Sequence, residues 1–125
     1  MIYLDTHVVV WLYAKDLDRF TRAGLESLEA NELLISPMVA LELEYLRETG
    51  RIQAKSRVIC ESLEQSLGLR VCECSFFSVI RLALEQAWTR DPFDRIIVAQ
   101  AKQADASLLT KDSVISKHYK KAFWG

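Results

Sequence analysis

Short runs of β-type apolar residues alternate along the chain with longer stretches whose apolar positions recur at helical spacing. Ile2-Tyr3-Leu4 predicts a strand, and the apolar stretch from His7 to Tyr13 predicts a helix. Thr21 to Ala30 carries Ala23 or Leu25 with Leu28 at helical spacing, and Leu33-Leu34-Ile35 is a second strand. Ser36-Pro37 forms an N-cap and first helical position, opening a helix to about Glu48 that Gly50 closes. Ile52 to Leu67 is a further helix, Leu69 to Cys74 a third strand, and Phe77 to Trp88 another helix. Asp91-Pro92 starts a helix running to about Ala104, apolar nearly all round through Ile96, Ile97, Val98, Ala99 and Ala101 and therefore buried. Ser107-Leu108-Leu109 is a fourth strand, Ser113 to Tyr119 a short helix, and Ala122-Phe123-Trp124 a fifth strand. Strands alternating with helices predict an α/β fold with a parallel sheet covered on both faces.

Composition narrows this picture. With 125 residues, half of them hydrophobic, the chain suits one domain over residues 1–125, and no linker or repeat divides it. The net charge of −1 supplies no global basic field for nucleic acid, although a metal at an acidic site would supply local positive charge. The longest apolar runs fall far short of the roughly 20 residues of a membrane span. Ile2-Tyr3-Leu4-Asp5 opens without a basic n-region, so the expectation is a cytoplasmic protein with no membrane partner. Cys60, Cys72 and Cys74 form no C-x-x-C pair and are expected as buried, reduced thiols, Cys72 and Cys74 facing the same side.

The chemistry concentrates where strands end, because open α/β sheets bind ligands outside the carboxyl ends of their strands. Asp5 follows the first strand, Asp112 the fourth, and Asp91 and Asp94 open the helix before the fourth. Glu42 lies two turns into the helix leaving the second strand, with Met38, Val39, Tyr45 and Leu46 as its helix neighbours. A carboxylate on so apolar a face must be paired, protonated or bound to metal. Glu44 has the surroundings of an ordinary solvated acid. Asp91, Asp94 and Asp112 each also suit helix capping, whereas an acid closing a central strand, Asp5, has no such ready structural role. Carboxylates without a His/Cys cluster select hard cations such as Mg²⁺ or Mn²⁺. His7 is expected to pack or hydrogen-bond near the site, His118 is unassigned, and no P-loop or nucleophile elbow is present.

Four segments carry a resemblance: Leu4-Asp5-Thr6-His7, Ser36 to Glu42 with Leu46, Arg90-Asp91-Pro92-Phe93-Asp94-Arg95, and Leu109-Thr110-Lys111-Asp112. In order and separation, over essentially the whole chain, they resemble PIN domains of the VapC-like toxin type. The resemblance implies a three-layer α/β/α fold with a central, mostly parallel sheet of four to five strands. It implies an acidic quartet of Asp5, Glu42, Asp94 and Asp112 holding Mg²⁺, with Mn²⁺ as a substitute, and Asp94 rather than Asp91 as the third acid. Thr6, Asp91 and Thr110 would stand beside the quartet, and Arg95, Lys111 and Arg90 would contact RNA phosphates. The implied activity is an endoribonuclease, the toxin of a type II toxin–antitoxin pair, leaving 5′-phosphate and 3′-hydroxyl ends. The implied partners are RNA, a cognate antitoxin lying across the acidic groove, and a second copy of the chain; Trp11, Leu12 and Tyr13 on the early helix are either its contact residues or part of the core. The alternatives are a housekeeping RNA-processing nuclease, a PIN fold serving only as a binding module, or a phosphorylation-dependent receiver. A receiver needs adjacent acids after the first strand and an aspartate after the third, where this chain has Cys74-Ser75.

Overall fold

The computed structural model, which describes residues 1–125, places Ile2–Leu4 (β1) in the middle of a five-stranded sheet. Leu33–Ile35 (β2) and then Arg70–Val71 (β3) lie on one side of it, Ser107–Leu109 (β4) and Ala122–Phe123 (β5) on the other. Every pairing is parallel, as the alternation of elements predicts. All three residues of β1 are buried, which accounts for the unbroken Ile-Tyr-Leu run where a half-exposed strand would alternate.

The helices are Thr6–Tyr13 (α1), Arg22–Ala30 (α2), Pro37–Glu48 (α3), Ser56–Leu67 (α4), Phe76–Ala83 (α5), Pro92–Gln103 (α6) and Ser113–His118 (α7). No helix is long and apolar enough to cross a membrane. The chain steps outward from β1 to β2 to β3, then crosses back to β4 and β5. Because parallel crossovers are right-handed, the reversal puts the two groups of connections on opposite faces of the sheet. The reversal lies between β1 and β4, the position at which such sheets open a crevice at their carboxyl edge.

Three elements differ from expectation, each through tertiary hydrogen bonds. β3 is only two exposed residues long, not Leu69 to Cys74, because the Cys72 amide makes one last bond to the Ile35 carbonyl (2.8 Å) before the chain turns away. α5 stops at Ala83 instead of Trp88, and the Arg95 guanidinium takes up the Ala83 carbonyl. α4 starts at Ser56 instead of Ile52, where the Ser56 amide donates to Glu44 (3.1 Å) and its hydroxyl to the Ala40 carbonyl (2.5 Å). Glu44 is thus not a merely solvated acid: it caps α4 and pairs with Arg47.

Candidate metal centre

Asp5 leaves the central strand 4% exposed and has work for both oxygens. Oδ1 accepts the Thr6 amide at 2.8 Å, making Asp5 the N-cap of α1, and Oδ2 accepts the Thr110 hydroxyl at 2.7 Å. An acid at this strand end therefore does have a structural role as well. Each oxygen keeps a free lone pair. Thr110, wholly buried behind β4, also accepts the Asp112 amide at 3.0 Å. Asp112 caps α7 through the Val114 amide (2.8 Å) and the Ile115 amide (3.2 Å), and Asp91 caps α6 through the Phe93 amide (2.8 Å). For both acids, capping and membership of the site hold together instead of competing.

All five acids, Asp5, Glu42, Asp91, Asp94 and Asp112, line one cleft of about 350 Å³ at the β1–β4 switch point. Thr6 and His7 share its floor, and Val10, Trp11, Leu46 and Ile52 form its apolar wall. The Thr6 hydroxyl donates to Glu42, tying α1 to α3. His7 Nε2 accepts the Lys111 amide at 2.8 Å, which leaves the proton of the neutral ring on Nδ1, 3.7 Å from Asp5 Oδ2. Burial holds the His7 pKa below its ordinary value, against the pull of Asp5 and Asp112.

The electrostatics show what the cleft lacks. Asp94 is pushed up to about 7, first by burial and then by repulsion from Asp91, Asp5, Asp112 and Glu42. Glu42 is also raised, mainly by burial, with Asp5 and Asp91 adding to it and the Thr6 bond opposing. No lysine or arginine lines the cleft to offset these charges. An all-oxygen donor set with uncompensated charge fits a hard divalent cation. As placed, the acids include no group of three that would ligate one ion directly.

The basic residues fall differently from expectation. Arg95 does not reach the cleft: it donates to the Thr89 carbonyl (2.9 Å) and the Ala83 carbonyl and lines a separate apolar depression with Ile80 and Leu84. Arg90 is exposed and bound to the Ala87 carbonyl at 2.9 Å, also outside the cleft lining. Only Lys111 stands at the rim, its Nζ 5.9 Å from the Trp11 ring and 6.0 Å from the Trp124 ring. Trp11 forms an aromatic cluster with Phe20 and Trp124 and Leu12 is buried, so these positions are packed rather than offered to a partner. The Trp11 wall went unnoticed in the sequence, although its place four residues after His7, on the same helix face, was the signal for it. His118, unassigned from sequence, stacks on Trp88 with ring centroids 4.9 Å apart.

Comparison with known proteins agrees with this geometry. The family model described as "PIN domain" matches residues 2–121. Ribonuclease VapC22 of Mycobacterium tuberculosis is 31% identical over 121 residues, covering 94% of this chain and 91% of that protein. Among solved structures, VapBC2 from Rickettsia felis, bound to a DNA fragment from its promoter, aligns with a TM-score of 0.66 at 24% identity over 94% of this chain and 92% of its own. A toxin–antitoxin complex from Klebsiella pneumoniae aligns with a TM-score of 0.65 at 16% identity, covering 98% and 96%. At these identities the two structures speak for the fold alone. The five-stranded parallel sheet, the acids gathered at its switch point and the match along nearly the whole sequence lead to one conclusion: this chain belongs to the PIN-domain family.

Proposed function

We propose that this protein is a divalent-metal-dependent endoribonuclease, using Mg²⁺ or in its place Mn²⁺, and the toxin half of a type II toxin–antitoxin pair. The observation that carries the reading is the gathering of Asp5, Glu42, Asp91, Asp94 and Asp112 in one cleft without a lysine or arginine, where burial and then the neighbouring carboxylates push Asp94 up to about 7. Such a cluster is poorly stable as it stands and gains a cation with advantage. The relative at 31% identity is named a ribonuclease, and two neighbours in fold come from toxin–antitoxin complexes, which supports the substrate class and the partner.

Asp5, Glu42, Asp94 and Asp112 would hold the cation. When bound, the cation supplies an acidified water to attack phosphorus and positive charge to receive the leaving oxygen. The chain's own work is positioning. Thr110 and the Thr6 amide fix the Asp5 carboxylate, and the Thr6 hydroxyl fixes Glu42. Asp91 adds negative charge beside Asp94, and Lys111 at the rim is placed to meet a backbone phosphate. The apolar wall of Val10, Trp11 and Leu46 limits water on one side of the cleft. We assign the protein to the cytoplasm, where RNA is available and free thiols persist.

Purified protein incubated with RNA tests this. Cleavage is expected with Mg²⁺ or Mn²⁺, abolished by EDTA, leaving 5′-phosphate ends. Undiminished cleavage in EDTA, or products ending in 2′,3′-cyclic phosphate, would refute the metal mechanism.

A further inference from the structure

Away from the acidic cleft, a larger cavity of about 610 Å³ lies beneath the β3 edge, lined in part by Tyr3, Cys60, Leu69 and Cys72. Just past the end of β3 the Cys72 and Cys74 sulfurs face the same side and stand 3.4 Å apart. A disulfide bond is about 2.05 Å long, so closing this one needs an approach of only about 1.4 Å. The intervening Glu73 is exposed and lies outside helix and strand, so side-chain rotation and a small loop adjustment meet little resistance. Both sulfurs accept from the Gln100 amide, and the Tyr3 hydroxyl donates to Cys72 at 2.9 Å. Cys60 lines the same cavity but has Ser56 as its hydrogen-bonding neighbour, leaving Cys74 as the thiol in contact with Cys72.

We propose that Cys72 and Cys74 form a reversible intramolecular disulfide, with hydrogen peroxide as oxidant. The Cys72 sulfur, which lines the cavity, attacks one peroxide oxygen; the O–O bond breaks, Cys72 becomes a sulfenic acid and one water leaves. Cys74 then attacks the Cys72 sulfur; the S–S bond forms, the S–O bond breaks and a second water leaves. The two thiols together lose two electrons and two protons, and the peroxide is reduced to two waters.

The site lies at a junction of the fold. Gln100 sits on α6, which carries Asp94, and its Oε1 accepts the Ser36 hydroxyl at 3.1 Å. Ser36 in turn caps α3, which carries Glu42. Closing the disulfide therefore moves sulfur atoms that lie within the hydrogen-bonding shell linking both acid-bearing helices.

Mass spectrometry of the full chain tests the proposal, because the tryptic peptide Val71 to Arg81 contains Cys72 and Cys74 but not Cys60. Reduced protein is treated with hydrogen peroxide under native conditions, alkylated and digested. The expected peptide is lighter by two hydrogen atoms and takes up no alkylating agent, and dithiothreitol restores both alkylation sites. Cys60→Ser should leave this result unchanged, whereas Cys74→Ser should halt Cys72 at its oxygenated acids. Cross-linking of the peptide to Cys60, separate oxidation of both cysteines to sulfinic acids, or persistence of both as free thiols while Cys60 oxidises would each overturn the proposal.

Discussion

The Thr110 hydroxyl donates to Asp5 at 2.7 Å while accepting the Asp112 amide at 3.0 Å, so one buried side chain joins the ends of β1 and β4. Thr110→Val keeps the shape, removes one bond from a buried carboxylate and strips the Asp112 amide of its partner. The expected cost is about 1–3 kcal/mol in urea unfolding. Metal-dependent cleavage should fall by roughly 10–100-fold, the usual loss when a ligand's supporting partner is removed. Thr110→Ser should restore most of both. A valine variant indistinguishable from wild type would show the bond to be incidental.

Asp94 and Asp91 share the first turn of α6 and its N-cap but not, in the proposed mechanism, a role. Asp94→Asn should abolish cleavage with the fold intact by circular dichroism. Asp91→Asn should retain most activity, because asparagine caps a helix well. It also removes one of the charges holding the Asp94 pKa up, so a carboxyl titration followed by NMR should show Asp94 ionising at lower pH. The reverse ranking in activity would make Asp91 the third acid.

Asp94 also sets a pH dependence. Its folded pKa is about 7, whereas an unfolded aspartate ionises near 3.9. Between those values the unfolded chain has released a proton that the folded chain still holds. In EDTA, stability should therefore be greatest below about pH 4 and fall as pH rises to about 7. With allowance for solvent screening at this partly exposed side chain, the loss is roughly 1–2 kcal/mol. Mg²⁺ needs the ionised form, so its stabilising effect should grow across the same window. Thermal melts from pH 5 to 8, with EDTA and with Mg²⁺, should diverge in wild type and stay closer together in Asp94→Asn. Parallel curves in wild type would remove Asp94 from the metal site.

Glu42 and Glu44 lie two residues apart and should behave oppositely. Glu42→Gln keeps the bond from Thr6 while relieving repulsion from Asp5 and Asp91. The variant should be inactive, at least as stable as wild type in EDTA, and less stabilised by Mg²⁺. Glu44→Gln should leave cleavage and the Mg²⁺ response alone but lower the melting temperature, because Glu44 caps α4 and binds Arg47. Normal cleavage by Glu42→Gln would dismantle the four-acid site.

The homodimer that the resemblance implies would need an exposed apolar surface, and α5 carries one. Phe76, Phe77 and Leu84, at α5 and its C-terminal end, are 67%, 70% and 69% exposed, unlike the packed Trp11 and buried Leu12. Light scattering should give a dimer that Phe77→Glu converts to a monomer. A wild-type monomer at high concentration would exclude this assembly.

Wherever neighbouring residues decide the structure, the sequence was a sufficient guide. Ser36-Pro37 and Asp91-Pro92 start α3 and α6 as expected, and the run Ile97 to Ala101 is buried. That Asp5, Glu42, Asp94 and Asp112 would meet at one cleft was legible because three stand at element ends and the fourth on an apolar helix face. What escaped depends on groups distant in sequence. Glu44 looks solvated until the Ser56 amide arrives from twelve residues away, and α5 loses its last predicted turn where Arg95 binds the Ala83 carbonyl. Arg95 looked like a phosphate contact for the same reason: its local surroundings do not reveal which way a long side chain turns.

The strand order carries a consequence for synthesis. β1 is made about a hundred residues before β4, its partner on one side. A nascent chain that has exposed only β1 to β3 still lacks Asp94, Thr110 and Asp112, and holds Asp5 without the Thr110 hydroxyl. Contacts this far apart in sequence also form late in folding. Until β4 is made, a chain built in this order holds only part of its acidic cleft, so the proposed metal site would still be incomplete. The proposed site closes only when β4 pairs with β1.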